Sequence, residues 1–225
     1  RYLLPLLSCA VMLLGLGNVE AQQNGSLTVK FVYDNYAFSP GFETNWGFAC
    51  VVEGTEKTIL FDTGQKGDLL LENFKKMGLD PQSPKIVVLS HNHGDHTGGL
   101  TAFLAKNHDV SVYLPASFPK EFVRKVEAAG AKVVLVTEPV EICKNVFLTG
   151  EMGGAIKEHG LILDTGGGLV LITGCAHPGI VAMTKRAKEH LKKDVAMVFG
   201  GFHLGQLSET EAKAGADQLK DLGVR

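Results

Sequence analysis

The sequence predicts an α/β fold with mixed strand pairing, and three observations carry that prediction. Hairpin signals stand early, at Gly54-Thr55, and late, at Gly166-Gly167-Gly168. Strands and helices alternate through the middle of the chain. Four apolar runs each end beside glycine in polar side chains: Asp62, His91 to His96, Cys175 with His177, and His203. One such end is ordinary, whereas four argue for a single assembled site along one edge of the sheets.

Length and composition bound what the fold can be. The 225 residues suit one domain, and 45% hydrophobic with 20% charged residues is ordinary globular composition. A formal net charge of −2 leaves no electrostatic footprint for nucleic acid or an anionic membrane. Tyr2 to Gly17 is almost wholly apolar, follows Arg1 and precedes Val19-Glu20-Ala21, the pattern of a secretory signal peptide. The run falls short of the ~20 apolar residues of a spanning helix. Cys9 does not read as a lipoprotein cysteine, because most of the apolar run follows it. The expectation is therefore a leader over 1–21, an exported (periplasmic or secreted) domain over 22–225 and, with no initiator Met, a missing true N-terminus. Removing the leader leaves Cys50, Cys143 and Cys175. Cys50 and Cys143 lie in apolar runs and read as small buried residues rather than as a bridge.

In chain order, Leu27 to Tyr33 is β-rich and opens the domain. Asp34 to Thr44 is a loop whose Tyr36, Phe38 and Phe42 either fold over a pocket or tuck into the core edge. Phe48 to Glu53 and Lys57 to Phe61 form the first hairpin. Asp62-Thr63-Gly64 ends it, and Asp62 either hydrogen-bonds a metal ligand or caps the next helix. Asp68 to Met77 has helical spacing and Gly78 as its stop. Ile86 to Leu89 is a buried strand, Leu100 to Lys106 a helix, Val110 to Leu114 a strand, Pro119 to Ala129 a helix and Lys132 to Val136 a strand. Glu138 to Thr149 reads as an outer strand pair, and Ile156 to Asp164 with Leu169 to Thr173 as the late hairpin. Pro178 is expected to start a helix over Gly179 to Leu191. Val195 to Phe199 is the last strand. Ser208 to Leu222 is a helix with Ser208 as N-cap and Glu211 completing a capping box.

The chemistry concentrates in His91-Asn92-His93-Gly94-Asp95-His96-Thr97-Gly98-Gly99. Imidazole nitrogen and carboxylate oxygen are donors that Zn²⁺, Fe and Mn accept. His91 and His93, two apart, can reach one ion, while Asp95 and His96 point to a second. His177 is the natural third imidazole for the first ion. Cys175 could ligate, bridge or remain a thiol beneath the site. His203 could be a ligand of the second ion, a proton donor or substrate contact beside it, or a satisfied core histidine.

His91-x-His93-x-Asp95-His96 after a buried strand resembles the metallo-β-lactamase superfamily, in which Asp62 matches the first signature motif. Gly174-Cys175-Ala176-His177-Pro178-Gly179 and Gly200-Gly201-Phe202-His203-Leu204 are similar to the branch named after dihydropterin-ribofuranosyl-aminobenzene-phosphate synthase, also called lactamase superfamily II. The resemblance covers nearly all of 27–225. It implies an αββα sandwich of two mixed sheets with helices on the outer faces, and a site with two metal ions, zinc first and iron or manganese as alternatives. The ligand set it implies is His91, His93, Asp95, His96, His177 and His203, supported by Asp62 and Cys175. The implied activity is hydrolysis of a small phosphorylated substrate by a hydroxide that the ions generate, with Asp95 and His203 as catalytic residues. Rival readings are an exported β-lactam hydrolase, a pterin-pathway synthase, and a non-catalytic metal- or ligand-binding module. A di-iron redox role is disfavoured, since flavodiiron relatives carry a carboxylate where this chain has His93. Members of the branch continue to a further strand and a His-Cys-Thr-Gly segment, so the chain is expected to be truncated at its C-terminus.

Overall fold

The structure, a computed structural model, describes residues 26–225 apart from Phe38. The leader expected over 1–21, with Cys9, lies outside the described residues. Six strands make the first sheet: β1 (Thr28–Tyr33), β2 (Ala49–Glu53), β3 (Ile59–Phe61), β4 (Ile86–Val88), β5 (Ser111–Pro115) and β6 (Lys132–Val136), side by side in chain order. β1 to β3 pair antiparallel and β3 to β6 parallel. The second sheet runs β11 (Val195–Gly200), β10 (Gly168–Thr173), β9 (Leu161–Thr165), β8 (Val146–Leu148), β7 (Val140–Cys143), antiparallel except for the β10–β11 pair. The helices are α1 (Gly67–Lys76), α2 (Gly94–Thr97), α3 (Leu100–Leu104), α4 (Lys120–Ala128), α5 (Ile180–Leu191) and α6 (Glu209–Asp221).

Side-chain alternation along the strands explains the layering. In β2, Ala49 and Val51 face one way, against Leu70 and Phe74 of α1 and Phe103 of α3. Cys50 and Val52 face the other, with Phe61 of β3 and Val88 of β4 against Leu161, Leu163 and Ile172 of the second sheet. In turn β9 and β10 send Ile162, Leu169 and Leu171 outward onto Ile180, Met183 and Ala187 of α5. Three apolar layers thus separate helix, sheet, sheet and helix, which is the expected αββα sandwich. Among the described residues no helix is long and apolar enough to cross a membrane.

Several local expectations need correction. The His-rich stretch is not all loop, because Gly94–Thr97 closes one helical turn in which Gly98 N–H donates to the Gly94 carbonyl. Strand β9 begins at Leu161 rather than Ile156. Residues 156–160 instead cross to the site, where Glu158 bridges His91 and Met152. Pro178 does not start α5, since Gly179 at φ 93° is its N-cap. Asp62 does not cap α1, whose N-cap is Lys66 without a side-chain cap. The Ser208–Glu211 capping box of α6 is present as read.

Candidate metal centre

Because β3 and β4 are parallel neighbours, as are β10 and β11, their C-terminal ends emerge together. Asp62 follows β3, His91 follows β4 by three residues, Cys175 and His177 follow β10, and His203 follows β11. The four strand ends meet at one rim of the sandwich, as the sequence predicts. Three of these ends hold a non-glycine residue in the left-handed region, Asp62 (φ 56°), Ala176 (φ 54°) and His203 (φ 51°). Such conformations persist where surrounding contacts over-determine them.

Asp62 is fully buried and organises the imidazoles. Its Oδ1 accepts from the Ser90 backbone N–H at 2.7 Å, and its Oδ2 accepts from Ser90 Oγ at 2.7 Å and from His96 Nδ1 at 2.7 Å. Since Ser90 Oγ donates to Asp62, it accepts from His91 Nδ1, 2.9 Å away. One carboxylate thereby fixes both rings and points Nε2 of His91 and of His96 into the site. Gly174 makes room for this network, because a Cβ there would collide with Ser90 Oγ and stand 3.1 Å from Asp62 Oδ2.

The ring centroids of His91, His93 and His177 lie 4.6, 4.7 and 4.9 Å apart pairwise. Their ligand nitrogens fall within 4.8 Å of one another. His91 Nε2 and His93 Nδ1 are 3.1 Å apart, close to the roughly 3.3 Å between two nitrogens on a tetrahedral Zn²⁺. His177 Nε2 is buried without any hydrogen-bond partner, a donor atom with nothing in the protein to meet. The set fits a metal ion. Burial lowers the His91 pKa to about 2, and the neighbouring His96, His177 and His93 push the same way. Burial lowers His177 to about 4, helped by His203 and His93. Both rings are held neutral, the form that ligates.

Beside this triad His96 Nε2 stands 3.4 Å from Asp95 Oδ2 and 3.2 Å from Cys175 Sγ. Burial opposes a proton on His96, but the charge and hydrogen bond of Asp62 overcome it and raise the pKa. Asp95 is held down to about 2, chiefly by its hydrogen bond to His96. Two further three-residue groupings could hold an ion, His91–His96–Cys175 and Cys175–His177–His203. Cys175 thus belongs to two of the three candidate groupings, one of them with His96. His203 is exposed, stacks 4.7 Å from His177 and is grouped with Cys175 rather than with His96.

Glu158 is a site residue that sequence reasoning misses. Fully buried, its Oε1 accepts from the backbone N–H groups of Gly174 (3.0 Å), Cys175 (3.1 Å) and Ala176 (3.0 Å), and its Oε2 from that of His177 (2.8 Å). Burial raises its pKa, and the same N–H groups oppose the rise. Its one sequence signal is a carboxylate inside the otherwise apolar approach to β9. Trp46 was also missed. With Phe31 and Tyr36 it walls a cleft of about 350 Å³ that reaches Asp95, His96 and Cys175. Of the aromatics in the 34–44 loop, Tyr36 is 79% exposed at the cleft mouth, Phe42 is half-buried and does not line the cleft, and Phe38 lies outside the described residues.

Fold and donor set together define an αββα protein with a candidate metal centre where its two sheets meet. The chain belongs to the metallo-β-lactamase superfamily, whose pattern it matches over residues 47–186. A relative from Methanocaldococcus jannaschii, 7,8-dihydropterin-6-methyl-4-(beta-D-ribofuranosyl)-aminobenzene-5'-phosphate synthase, is 27% identical over 264 residues, covering 95% of this chain and 88% of its own. The crystal structure of Tm1679, described as a metal-dependent hydrolase of the beta-lactamase superfamily, superposes with a TM-score of 0.73 at 30% identity, covering 88% of this chain and 85% of that one. Human tRNase Z, short form, shares the fold at 15% identity and a TM-score of 0.57, over 85% of this chain and 88% of its own.

Proposed function

We propose that this chain is a dinuclear, metal-dependent hydrolase of a small phosphorylated substrate, exported by its leader. The observation that carries the reading is the His91–His93–His177 triad with its unpartnered buried nitrogen, set beside a second donor group around His96. When bound, the ions would supply Lewis acidity and lower the pKa of a coordinated water. The remaining work falls to the protein. Asp62 and Ser90 hold His91 and His96 in one tautomer. Asp95, ionised at neutral pH, orients the attacking water and can take its proton. His203, exposed at the rim beside His177, is placed to contact substrate and protonate a leaving group. Phe31, Tyr36 and Trp46 screen the cleft from solvent.

The phosphate preference draws support from the phosphorylated product in the name of the Methanocaldococcus relative. That name also favours a second reading, a synthase acting on pterin-type substrates. The test is metal content by plasma mass spectrometry on protein purified without chelator, followed by a screen of chromogenic phosphoesters. Two zinc ions per chain with metal-dependent turnover is the expected result. One or none would sink the dinuclear reading, and two ions without ester cleavage would move the synthase ahead.

A further inference from the structure

We propose that Phe31, Tyr36 and Trp46 form the subsite for a planar, uncharged aromatic ring of the substrate; this deepens the hydrolase reading above and rests on it for the place of the phosphate. Phe31 and Trp46 are 47% and 64% exposed, Tyr36 more so, and the three share one cleft with Asp95 and His96. Large aromatics left bare side by side at a cleft mouth mark a ligand surface. The charge of the lining selects the ligand. It carries the carboxylates of Asp34 and Asp95 and, among the described residues, no Lys or Arg. An anionic group would meet no lysine or arginine on this wall, which leaves the phosphate to the metal centre and the wall to a ring without charge. Aromatic faces attract such a ring beyond the area they bury, which favours it over a saturated group of equal size. At about 350 Å³ the cleft is at the small end of small-molecule pockets.

The wall is fixed in advance. The Phe31 ring stands edge-on to Phe48 and Phe199, with centroids 5.8 and 5.5 Å away, so it is held from behind while nearly half its surface stays bare. Tyr36 and Trp46 stand on two chain segments that are tied to each other. Asn35 Oδ1 accepts from the Gly47 N–H at 2.6 Å, and the Asp34 carbonyl accepts from the Asn45 N–H at 3.4 Å. Each segment is also pinned within itself, where Asp34 Oδ1 accepts from the Tyr36 N–H at 3.0 Å and Asn45 Oδ1 from the Trp46 N–H at 2.8 Å. Gly47, at φ 126°, then seats the Trp46 segment against the candidate metal centre. A Cβ there would collide with the Asp95 carbonyl, to which the Phe48 N–H donates at 3.4 Å. Rings positioned in this way lose little freedom when a ligand stacks on them.

Trp46 is the sole tryptophan, so tryptophan fluorescence reports on this cleft. The full chain, metal-free, is titrated with quinoxaline, a neutral fused-ring probe without phosphate. The expected result is saturable quenching, with its midpoint raised about tenfold in Tyr36→Ala, the weight of an aromatic pair and its buried area. Quenching that rises linearly without saturation, or an unmoved midpoint in the variant, overturns the subsite. Zinc-loaded protein is then given benzyl phosphate and cyclohexylmethyl phosphate, esters of similar size and leaving group that differ in the ring. kcat/KM should favour the benzyl ester, and Trp46→Ala should cut that preference about tenfold. Saturable quenching without turnover of either ester keeps the subsite and removes the hydrolase reading. Turnover of both esters without preference, or with a preference that Trp46→Ala leaves in place, overturns the subsite and leaves the hydrolase standing. Neither saturation nor turnover removes both.

Discussion

Replacing Glu158 by Gln perturbs the carboxylate on which the Gly174–His177 turn rests, while changing almost no volume. The amide oxygen can keep the three N–H groups that Oε1 serves, but its NH₂ then faces the His177 N–H, donor against donor. That contact costs about 1–3 kcal/mol as a lost and unsatisfied buried bond. The three surviving bonds drop from the charged class to the neutral one, about 1 kcal/mol each. Relief of the carboxylate's desolvation, several kcal/mol for a buried ion, offsets much of this sum. The net expectation is a loss of about 2 kcal/mol, or roughly 4–8 °C in Tm for a domain of this size. Because the turn carries His177 and Cys175, metal affinity should also fall about 10- to 100-fold. Thermal unfolding of metal-free protein gives the first number, and competition with a chromogenic chelator gives the second. A variant with unchanged Tm and unchanged affinity would refute the reasoning. A lower Tm with unchanged affinity would confine Glu158 to holding the fold.

Three further outcomes are expected. Asp62→Asn breaks the buried pair with His96 and should destabilise by about 3 kcal/mol in urea unfolding, with a 10- to 100-fold loss of metal affinity. His177→Ala removes a ring whose Nε2 has no partner in the protein, so stability should change by less than about 1 kcal/mol while bound metal falls by one equivalent. His159 is fully buried, and burial lowers its pKa to about 3, opposed by the Leu89 backbone. The folded chain keeps it neutral while the unfolded chain protonates near pH 6.5. Its contribution is therefore full above pH 6.5 and drains as pH falls toward 3, by about 1.4 kcal/mol per pH unit. His159→Phe should flatten that part of the acid limb in urea melts of metal-free protein at pH 7 and 4.5, and an unaltered slope would count against it.

The sequence made the candidate metal-binding residues legible because their signals are local. A short apolar run, a glycine and a donor type within a few positions are enough to place Asp62, His91 to His96, Cys175 with His177, and His203 at strand ends. What stayed hidden depends on contacts across the chain. Glu158 serves N–H groups 16 to 19 residues away, a relation that no spacing pattern encodes. The helical turn at Gly94–Thr97 lacks an apolar repeat and is set by the site it carries. The grouping of Cys175 with His96, 79 residues earlier, appears only once the sheets are packed. Trp46 is the sole tryptophan, and its place before a strand reads equally well as core or as surface until the cleft is seen.

The donors come from both sheets: His91 to His96 follow the first, while Cys175, His177 and His203 follow the second. An ion held across that boundary would act as a staple, closing a chain loop of more than eighty residues. Staples of that kind make separation of the two halves slow as well as unfavourable. Loading would then set how long a molecule survives proteases, and metal supply would govern its lifetime.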